Sequence, residues 1–315
     1  MSIEITSESL AGAEPEPGGA PLAGVSEFTG SNRRSLRSRL RLTNSIWTRR
    51  NFSSRARELS NGDVIILSIP KSGRTWLRAF FCAYFCRRFG LEFTLRPGRY
   101  DLPGFPRVVF SHDIFEHRTK GDRWDRVRGK YLVPRRELKR AKIILLARDP
   151  RDCFVSLYLQ LTRRDPNASA ELRQKTASEM LRDEKFGMGA IISTMNHWLH
   201  EFSERDNFTL VRYEALRGSP AEHFRDLLLV LGEPSPDANI FQEALEFSGF
   251  ENMQKLEAAG AFDSNILHPG DVRDPESFKV RRGKIGGYRE YLSAEDQQFA
   301  AEAMTKLDRR FGYSA

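Results

Sequence analysis

Residues 64–77, VIILSIPKSGRTWL, predict a buried strand, a tight polar loop and the start of a helix. The apolar run at residues 64–69 is typical of a strand that a parallel sheet buries on both faces. Pro70 ends the run, and Gly73 permits a sharp turn. Beyond Trp76, apolar residues recur at the spacing of a buried helix face. The stretch therefore predicts a helix that begins directly in the polar loop.

The loop of this unit carries groups that suit a phosphate. A helix N-terminus presents free backbone N–H groups at the edge of the sheet. Lys71 adds a positive charge, and Ser72 and Thr75 add hydroxyl donors. The GxxxxGK[ST] spacing of nucleotide triphosphatases is absent, because Lys71 precedes Gly73 instead of following it. On its own, the stretch equally permits an ordinary strand–turn–helix with an incidental lysine.

Residues 70–76, PKSGRTW, resemble the PKSGTTW phosphosulfate loop of the sulfotransferases that use 3′-phosphoadenosine 5′-phosphosulfate (PAPS). The one departure is Arg74, a cation where that loop has its first threonine. The resemblance implies that Lys71 stabilises the leaving phosphate, as preorganised cations do in other enzymes. The cofactor contacts that it implies in this loop are Lys71, Ser72, Gly73, Arg74, Thr75 and Trp76.

Composition excludes several other classes of protein. The chain has 315 residues, 40% hydrophobic and 29% charged, as in globular proteins. It has no apolar run of about 18 residues and no signal-peptide pattern, so we expect a cytoplasmic protein. The three cysteines fit a reducing compartment. No metal-ligand spacing and no nucleic-acid-reading motif is visible, so we expect neither partner.

Residues 1–57 predict a disordered, basic N-terminal extension, and residues 58–315 predict the sulfotransferase domain. The extension contains nine arginines and five glutamates, which supply half of the net charge of +8. Within it, residues 33–57 form a loosely amphipathic segment that permits peripheral contact with an anionic membrane. A basic linker is the simpler interpretation, and we favour it.

The rest of the chain predicts strands that alternate with helices. Further apolar runs that predict strands lie at residues 107–112, 142–148 and 208–213. Helical patterns follow at residues 191–202, 220–231 and 293–310, and another helix starts at 149–150. We expect loops at residues 91–106, 113–135, 163–190 and 264–289, with 163–187 as a surface excursion or lid. This order predicts an α/β fold of the P-loop type, with three layers and a mainly parallel central sheet of four to five strands.

Ligands of such sheets bind at the carboxyl ends of the strands. Candidate groups follow each predicted strand at this edge: Lys71, His112, Arg148 and Tyr213. The sequence therefore predicts one site that all four strands build.

Residues 147–156, ARDPRDCFVS, resemble the sulfotransferase segment in which an arginine and a serine eight residues later bind the cofactor's 3′-phosphate. Arg148 and Ser156 keep this spacing, and arginine offers bidentate hydrogen bonds to phosphate. Residues 281–283 resemble the family's RKG signature, which implies that Arg281, Arg282 and Gly283 close on the same phosphate. For Arg148 and Ser156, the alternative is a surface arginine and a helix serine that bonds to the helix backbone.

The adenine contacts are also implied by the resemblance. Residues 213–216, YEAL, resemble the family's YEDL element, whose tyrosine contacts the base. Ser248 and Phe250 match the positions that hold the base from the other side, and Trp76 would stack on it. For any one of these aromatic residues, a place in the core is the alternative.

His112 follows the second strand, where the family places its catalytic histidine. Sulfuryl transfer requires the acceptor hydroxyl to lose a proton, and a histidine suits that role. Asp113 and Glu116 are reserves for this general base, and a structural histidine is the other possibility.

The resemblance spans residues 60–312 and implies a PAPS-dependent sulfotransferase. Such an enzyme transfers a sulfuryl group to an acceptor hydroxyl on a small molecule, a carbohydrate or a lipid-linked group, and releases adenosine 3′,5′-bisphosphate (PAP). The alternatives are an ATP- and magnesium-dependent kinase or nucleotide hydrolase on the same fold, and a non-catalytic protein that binds membrane surfaces. We expect a monomer or a homodimer.

Overall fold

Four parallel strands form the central sheet in the order β2-β1-β3-β4. The strands are β1 Val64–Ser68, β2 Val108–Ser111, β3 Lys142–Ala147 and β4 Phe208–Arg212. In register, Val64 of β1 pairs with Val108 and Lys142, and Ile143 pairs with Phe208. Strand β1 is buried along its whole length, as its continuous apolar run requires, whereas the edge strand β4 is only half-buried.

The computed structural model of the chain describes residues 62–96, 100–262 and 266–314. Within these ranges the expected parallel α/β fold is confirmed, with a sheet of four strands. The predicted N-terminal extension, including residues 33–57, lies outside the described residues.

Helices of very different length surround the sheet. In chain order the α-helices are α1 Arg74–Arg88, α2 Asp113–Thr119, α3 Arg123–Val127, α4 Arg135–Arg140, α5 Pro150–Leu159, α6 Ala170–Gln174, α7 Ala177–Leu181, α8 Met188–Phe202, α9 Tyr213–Gly218, α10 Pro220–Val230, α11 Ala238–Phe247, α12 Phe250–Ala258 and α13 Ala294–Met304. A π-helix, Gln160–Arg164, continues α5, and 3₁₀ turns occur at Pro275–Ser277, Gly287–Glu290 and Arg309–Phe311.

The side chains on the two faces of the sheet pack into two separate hydrophobic cores. Ile65 and Leu67 of β1 pack with residues of α5, α7, α8 and α13 on one face. Val64 and Ile66 pack with α1, α10 and α11 on the other. This alternation is the period-two pattern of strand side chains, and it produces the three layers expected from the sequence.

Two of the predicted loop regions are wrong. Residues 113–135 contain α2 and α3, and residues 163–190 contain α6 and α7. Met180 and Leu181 are completely buried in the core, so this part of 163–187 is not a surface excursion. Helices this short contain too few apolar residues for a readable period. Their N-cap side chains, Asp122 and Thr176, were the available signal.

Helices α11 and α12 are absent from the sequence prediction, although Asp237 caps α11 by accepting two backbone N–H groups. The last helix also ends sooner than predicted, at Met304 rather than at residue 310. The next backbone N–H groups bond three residues back, for example Lys306 N to the Ala303 carbonyl at 3.0 Å. This tighter winding closes α13 before Asp308 caps a separate 3₁₀ turn.

Candidate active site

The loop between β1 and α1 folds tightly over Tyr213. Lys71 and Gly73 both have left-handed backbone conformations, with φ of 76° and 97°. A Cβ at Gly73 would lie 2.6 Å from Cδ2 of Tyr213, so the position requires glycine. Lys71 adopts its conformation although it carries a Cβ, and backbone strain of this kind is concentrated at ligand sites.

A cavity of about 950 Å³ lies at the carboxyl ends of the strands. Every site residue predicted from the sequence, apart from Ser72, lines it. These residues are Lys71, Gly73, Arg74, Thr75, Trp76, His112, Arg148, Ser156, Tyr213, Ser248, Phe250, Arg281, Arg282 and Gly283. The parallel register thus brings distant motifs to one place.

Ser72 points elsewhere. Its side chain is buried, and its hydroxyl lies 3.4 Å from the thiol of Cys153 on α5. Its backbone N–H donates to the Ile69 carbonyl at 3.3 Å. Burial raises the pKa of the Cys153 thiol to about 12, which keeps this partner neutral. Ser72 therefore fastens the loop to α5 in this structure and does not present its hydroxyl to the cavity, in contrast to the prediction from the sequence.

Arg148 joins the first loop to the segment that follows Arg282. Its guanidinium donates to the carbonyls of Lys71 at 3.0 Å and Lys284 at 3.2 Å, and it lies 4.5 Å from the Tyr213 ring centroid. Its Nε is buried and has no hydrogen-bond partner among the described residues. A buried donor without a partner is costly, so this nitrogen suits an anionic ligand.

Two carboxylates that the sequence reasoning missed hold the 281–282 arginines. Glu276 accepts from Arg281 at 2.8 Å and from Arg282 at 2.7 Å. Glu290 accepts from Arg282 at 2.8 Å and also contacts Lys284. The cations proposed for the 3′-phosphate are therefore already bound to internal anions.

Asp152 supports the neighbouring turn at residues 286–288. Its carboxylate accepts the backbone N–H groups of Gly286 at 2.8 Å and Tyr288 at 3.0 Å. The second acidic residue of residues 148–152, RDPRD, thus fixes a turn that is distant in sequence.

The predicted adenine contacts lie together at one part of the cavity. The Trp76 ring meets Tyr213 edge to face, with centroids 5.9 Å apart. Arg217, which the sequence reasoning did not single out, lies 5.9 Å from the Trp76 ring and 5.6 Å from the Phe250 ring. This group of aromatic faces and a cation suits a purine base.

His112 has a defined protonation state. Its Nδ1 lies 2.7 Å from the Ser68 carbonyl, which can only accept a hydrogen bond, so Nδ1 carries the proton. Burial, followed by the charge of Arg74, holds the pKa of His112 well below that of an ordinary histidine. The ring is therefore neutral at pH 7, with the lone pair on Nε2.

The two reserve carboxylates have different environments. Asp113 does not line the cavity, and its oxygens accept from Val133 N at 2.7 Å and Trp198 Nε1 at 3.1 Å. These bonds give Asp113 a structural role and argue against it as a base. Glu116 does line the cavity, where it forms an ion pair with Lys120 at 3.0 Å.

Within the described ranges, the structure contains no helix with the length and apolar character needed to cross a membrane.

A family model described as the sulfotransferase domain matches residues 61–312. The chain therefore belongs to the sulfotransferase family, and it is a PAPS-dependent sulfotransferase that acts on acceptor hydroxyls. Among curated proteins it is similar to cytosolic sulfotransferase 17 of Arabidopsis thaliana, at 23% identity over 255 residues, which cover 74% of this chain and 70% of the relative. Cytosolic sulfotransferase 13 of the same plant is 24% identical over 283 residues, covering 82% of each chain.

Solved structures share the fold. Mouse sulfotransferase SULT7A1, complexed with PAP, superimposes with a TM-score of 0.52 at 18% identity, covering 78% of this chain and 83% of that one. Retinol dehydratase, in complex with androsterone and PAP, gives a TM-score of 0.51 at 17% identity, covering 77% and 79%.

Proposed function

We propose that the cavity binds PAPS along the ends of β1, β3 and β4 and brings an acceptor hydroxyl to His112. The observation that carries this proposal is the histidine itself. A neutral imidazole at the end of β2, with its lone pair on Nε2, lines the same cavity as the Lys71 loop. In-line sulfuryl transfer requires a base for the acceptor hydroxyl and a donor site in one cavity, and His112 and the Lys71 loop meet that requirement.

Residues of five separate segments would hold the three parts of the donor. Arg148 and Ser156, together with Arg281 and Arg282, suit the 3′-phosphate. The first turn of α1 and Lys71 suit the phosphosulfate. Trp76, Tyr213, Ser248 and Phe250 suit the adenine. PAPS, when bound, supplies the sulfuryl group and leaves as PAP.

In the reaction we propose, His112 Nε2 takes the proton of the acceptor hydroxyl as its oxygen bonds to sulfur. The bond from sulfur to the bridging oxygen of the donor breaks, and Lys71 stabilises the charge that grows on that oxygen. Burial and the nearby charges of Arg164 and Lys279 hold the pKa of Lys71 well below its usual value in the unliganded protein. An anion beside it reverses this shift, so Lys71 is charged when the donor is bound.

The acceptor we propose is a small molecule. A cavity of about 950 Å³ has the size of typical small-molecule sites.

We also propose that residues 58–315 form the catalytic domain, which the family match over residues 61–312 supports. A cytoplasmic location is proposed as well, and the names of the relatives support it.

Thermal melting with PAP, with adenosine 5′-monophosphate and with ATP plus magnesium tests the donor assignment. A ligand that binds only the folded protein raises the melting temperature in proportion to its affinity. We expect the largest rise with PAP, because only PAP has a 3′-phosphate for Arg148. A rise with ATP and magnesium alone would contradict the proposal and favour a kinase.

A further inference from the structure

The cavity contains cations that the donor assignment does not use. Arg164 and Lys279 line it, as does Arg78, which lies on α1 one turn beyond Arg74. We call Arg78, Arg164 and Lys279 the second cation cluster. None of the three belongs to a motif by which the donor site was predicted.

The cluster is built by irregular segments of the chain. Arg164 is the last residue of the π-helix that extends α5. Lys279 follows the 3₁₀ turn Pro275–Ser277, and its ammonium group donates to the Ile266 carbonyl at 2.6 Å. This π-helix forms the C-terminal end of α5, because Asp165 after it is extended, and π-helical turns are rare and frequently found at functional sites.

Among the described residues, the carboxylates of Glu257 and Asp165 lie close enough to act on Arg164, and Glu257 also acts on Lys279. Glu257 is completely buried, and its two oxygens accept the backbone N–H groups of Lys279 at 2.6 Å and Val280 at 2.8 Å. Asp165, beside Arg164, accepts the backbone N–H of Asn167 at 2.9 Å. Among the described residues, these two carboxylates offset the repulsion between the half-buried cations Arg164 and Lys279 only in part, because the pKa of each cation stays below its usual value.

The cations also repel one another. Burial, then the charges of Arg164, Arg74 and Arg78, lower the pKa of Lys279 to about 7, and Glu257 opposes this effect. Burial lowers the pKa of Arg164 as well. Retaining like charges in a cavity costs free energy unless a ligand compensates for them.

We propose that the acceptor carries an anionic group, such as a carboxylate, phosphate or sulfate, and that Arg164 and Lys279 bind it while the acceptor hydroxyl reaches His112. This inference rests on the proposed function of the cavity. Phe115, Leu161 and Phe186 line the same cavity and suit an apolar body for the acceptor. The competing assignment is that these cations bind the donor's phosphosulfate.

A matched series of phenols distinguishes these assignments. The full chain is assayed with saturating PAPS and with 3-(4-hydroxyphenyl)propanoate, 3-(4-hydroxyphenyl)propan-1-ol or 3-(4-hydroxyphenyl)propylamine. The three share the phenolic hydroxyl and carry a negative, a neutral or a positive tail. Because the tail of the alcohol is a second hydroxyl, only product sulfated at the phenolic oxygen is counted. We expect kcat/KM for the propanoate to exceed that for the alcohol by about tenfold or more, because charge-assisted bonds form to the carboxylate. The amine should be the poorest.

Single variants then assign the preference to residues. Arg164→Gln and Lys279→Met should each remove most of the propanoate-to-alcohol preference and leave the KM for PAPS within about twofold of wild type. Arg163→Gln is the matched control, because Arg163 precedes Arg164, does not line the cavity and pairs with Asp274 at 3.7 Å. It should keep the preference.

Equal kcat/KM values for the three phenols would overturn the inference. A rise in the KM for PAPS in the two variants, as large as their loss of preference, would also overturn it. Transfer to the alcohol would still support the proposed function in both cases. If no phenol is turned over, melting of the PAP-saturated protein decides. A further rise in melting temperature with the propanoate, but not with the alcohol, supports the anionic subsite if Arg164→Gln removes it. If the propanoate gives no further rise, the inference is overturned.

Discussion

The two ends of the cavity differ in how the protein neutralises their cations. At the donor end, Arg281 and Arg282 are bound to Glu276 and Glu290 at 2.7–2.8 Å. In the second cation cluster, the nearby carboxylate of Glu257 is committed to two backbone N–H groups. The arginines of the donor end are thus bound by internal anions, whereas the cations of the second cluster repel one another, which lowers the pKa of Lys279 to about 7.

The largest effect should come from His112, which lines the same cavity as both groups of cations. His112→Asn keeps a donor for the Ser68 carbonyl but removes the Nε2 lone pair. We expect kcat to fall by about 10²–10⁴-fold, the usual contribution of a general base, with little change in PAP affinity. Initial rates with PAPS and a phenol, together with PAP titrations, measure both quantities.

Glu116→Gln is the companion to this variant, because Glu116 lines the cavity and is the remaining carboxylate candidate. We expect it to lose less than about tenfold in kcat. A loss equal to that of His112→Asn would transfer the role of the base to Glu116.

Arg148→Gln should produce the next largest effect and should act on the donor end alone. Hydrogen bonds to charged groups contribute about 1.5–3 kcal/mol, so PAP affinity should fall by about 10–100-fold. Adenosine 5′-monophosphate, which has no 3′-phosphate, should lose much less. Calorimetric titration of both nucleotides gives the ratio.

Ser156→Ala should shift the ratio of PAP affinity to monophosphate affinity in the same direction, but by less than about tenfold, because it removes one hydroxyl.

Equal losses of affinity for PAP and the monophosphate in Arg148→Gln would contradict the assignment of Arg148 to the 3′-phosphate. They would instead indicate that its bonds to the Lys71 and Lys284 carbonyls support the whole site.

The two groups of residues also differ in how well the sequence predicts their positions. Lys71, His112, Arg148 and Tyr213 follow four parallel strands, and strand register places such residues at one edge. Their convergence was therefore predictable from periodicity and motif order. Ser72 was misplaced because a spacing pattern does not tell which way a loop side chain turns.

The second cluster was not predictable in this way. Arg164 and Lys279 lie in segments for which the sequence predicts loops, and their positions depend on a π-helix and on the packing of residues 266–280. No period or turn signal encodes those contacts, because they arise from tertiary packing alone. The available hint was compositional, since two consecutive arginines at residues 163–164 lie shortly after the end of α5 at Leu159.

The pH dependence of acceptor binding sharpens the comparison. Lys279 has a pKa near 7 because of burial and of Arg164, Arg74 and Arg78, partly offset by Glu257. A bound anion raises this pKa, so above pH 7 binding must take up a proton. For the propanoate substrate, we therefore expect KM to rise between pH 7 and 8.5, by at most about tenfold per pH unit.

The alcohol analogue controls for titration of His112 and Lys71, because both substrates share those groups. In Lys279→Met, the propanoate and the alcohol should show parallel pH profiles. If their profiles are already parallel in the wild-type enzyme, Lys279 does not titrate with acceptor binding.

The smallest expected effect is a change in PAP affinity when an internal anion of the donor end is removed. Burial raises the pKa of Glu276, but bonds from Tyr291, Arg281 and Arg282 outweigh it and keep this carboxylate ionised. Glu276→Gln removes an anion that competes with the 3′-phosphate for both arginines. We expect PAP to bind about two- to fivefold more tightly, since partly exposed ion pairs contribute up to about 1 kcal/mol. Glu290→Gln, at a more exposed pair, should change the Kd by less. Weaker PAP binding in Glu276→Gln would instead mean that this carboxylate holds Arg281 and Arg282 in their binding positions, and that its contribution to preorganisation exceeds its competition with phosphate.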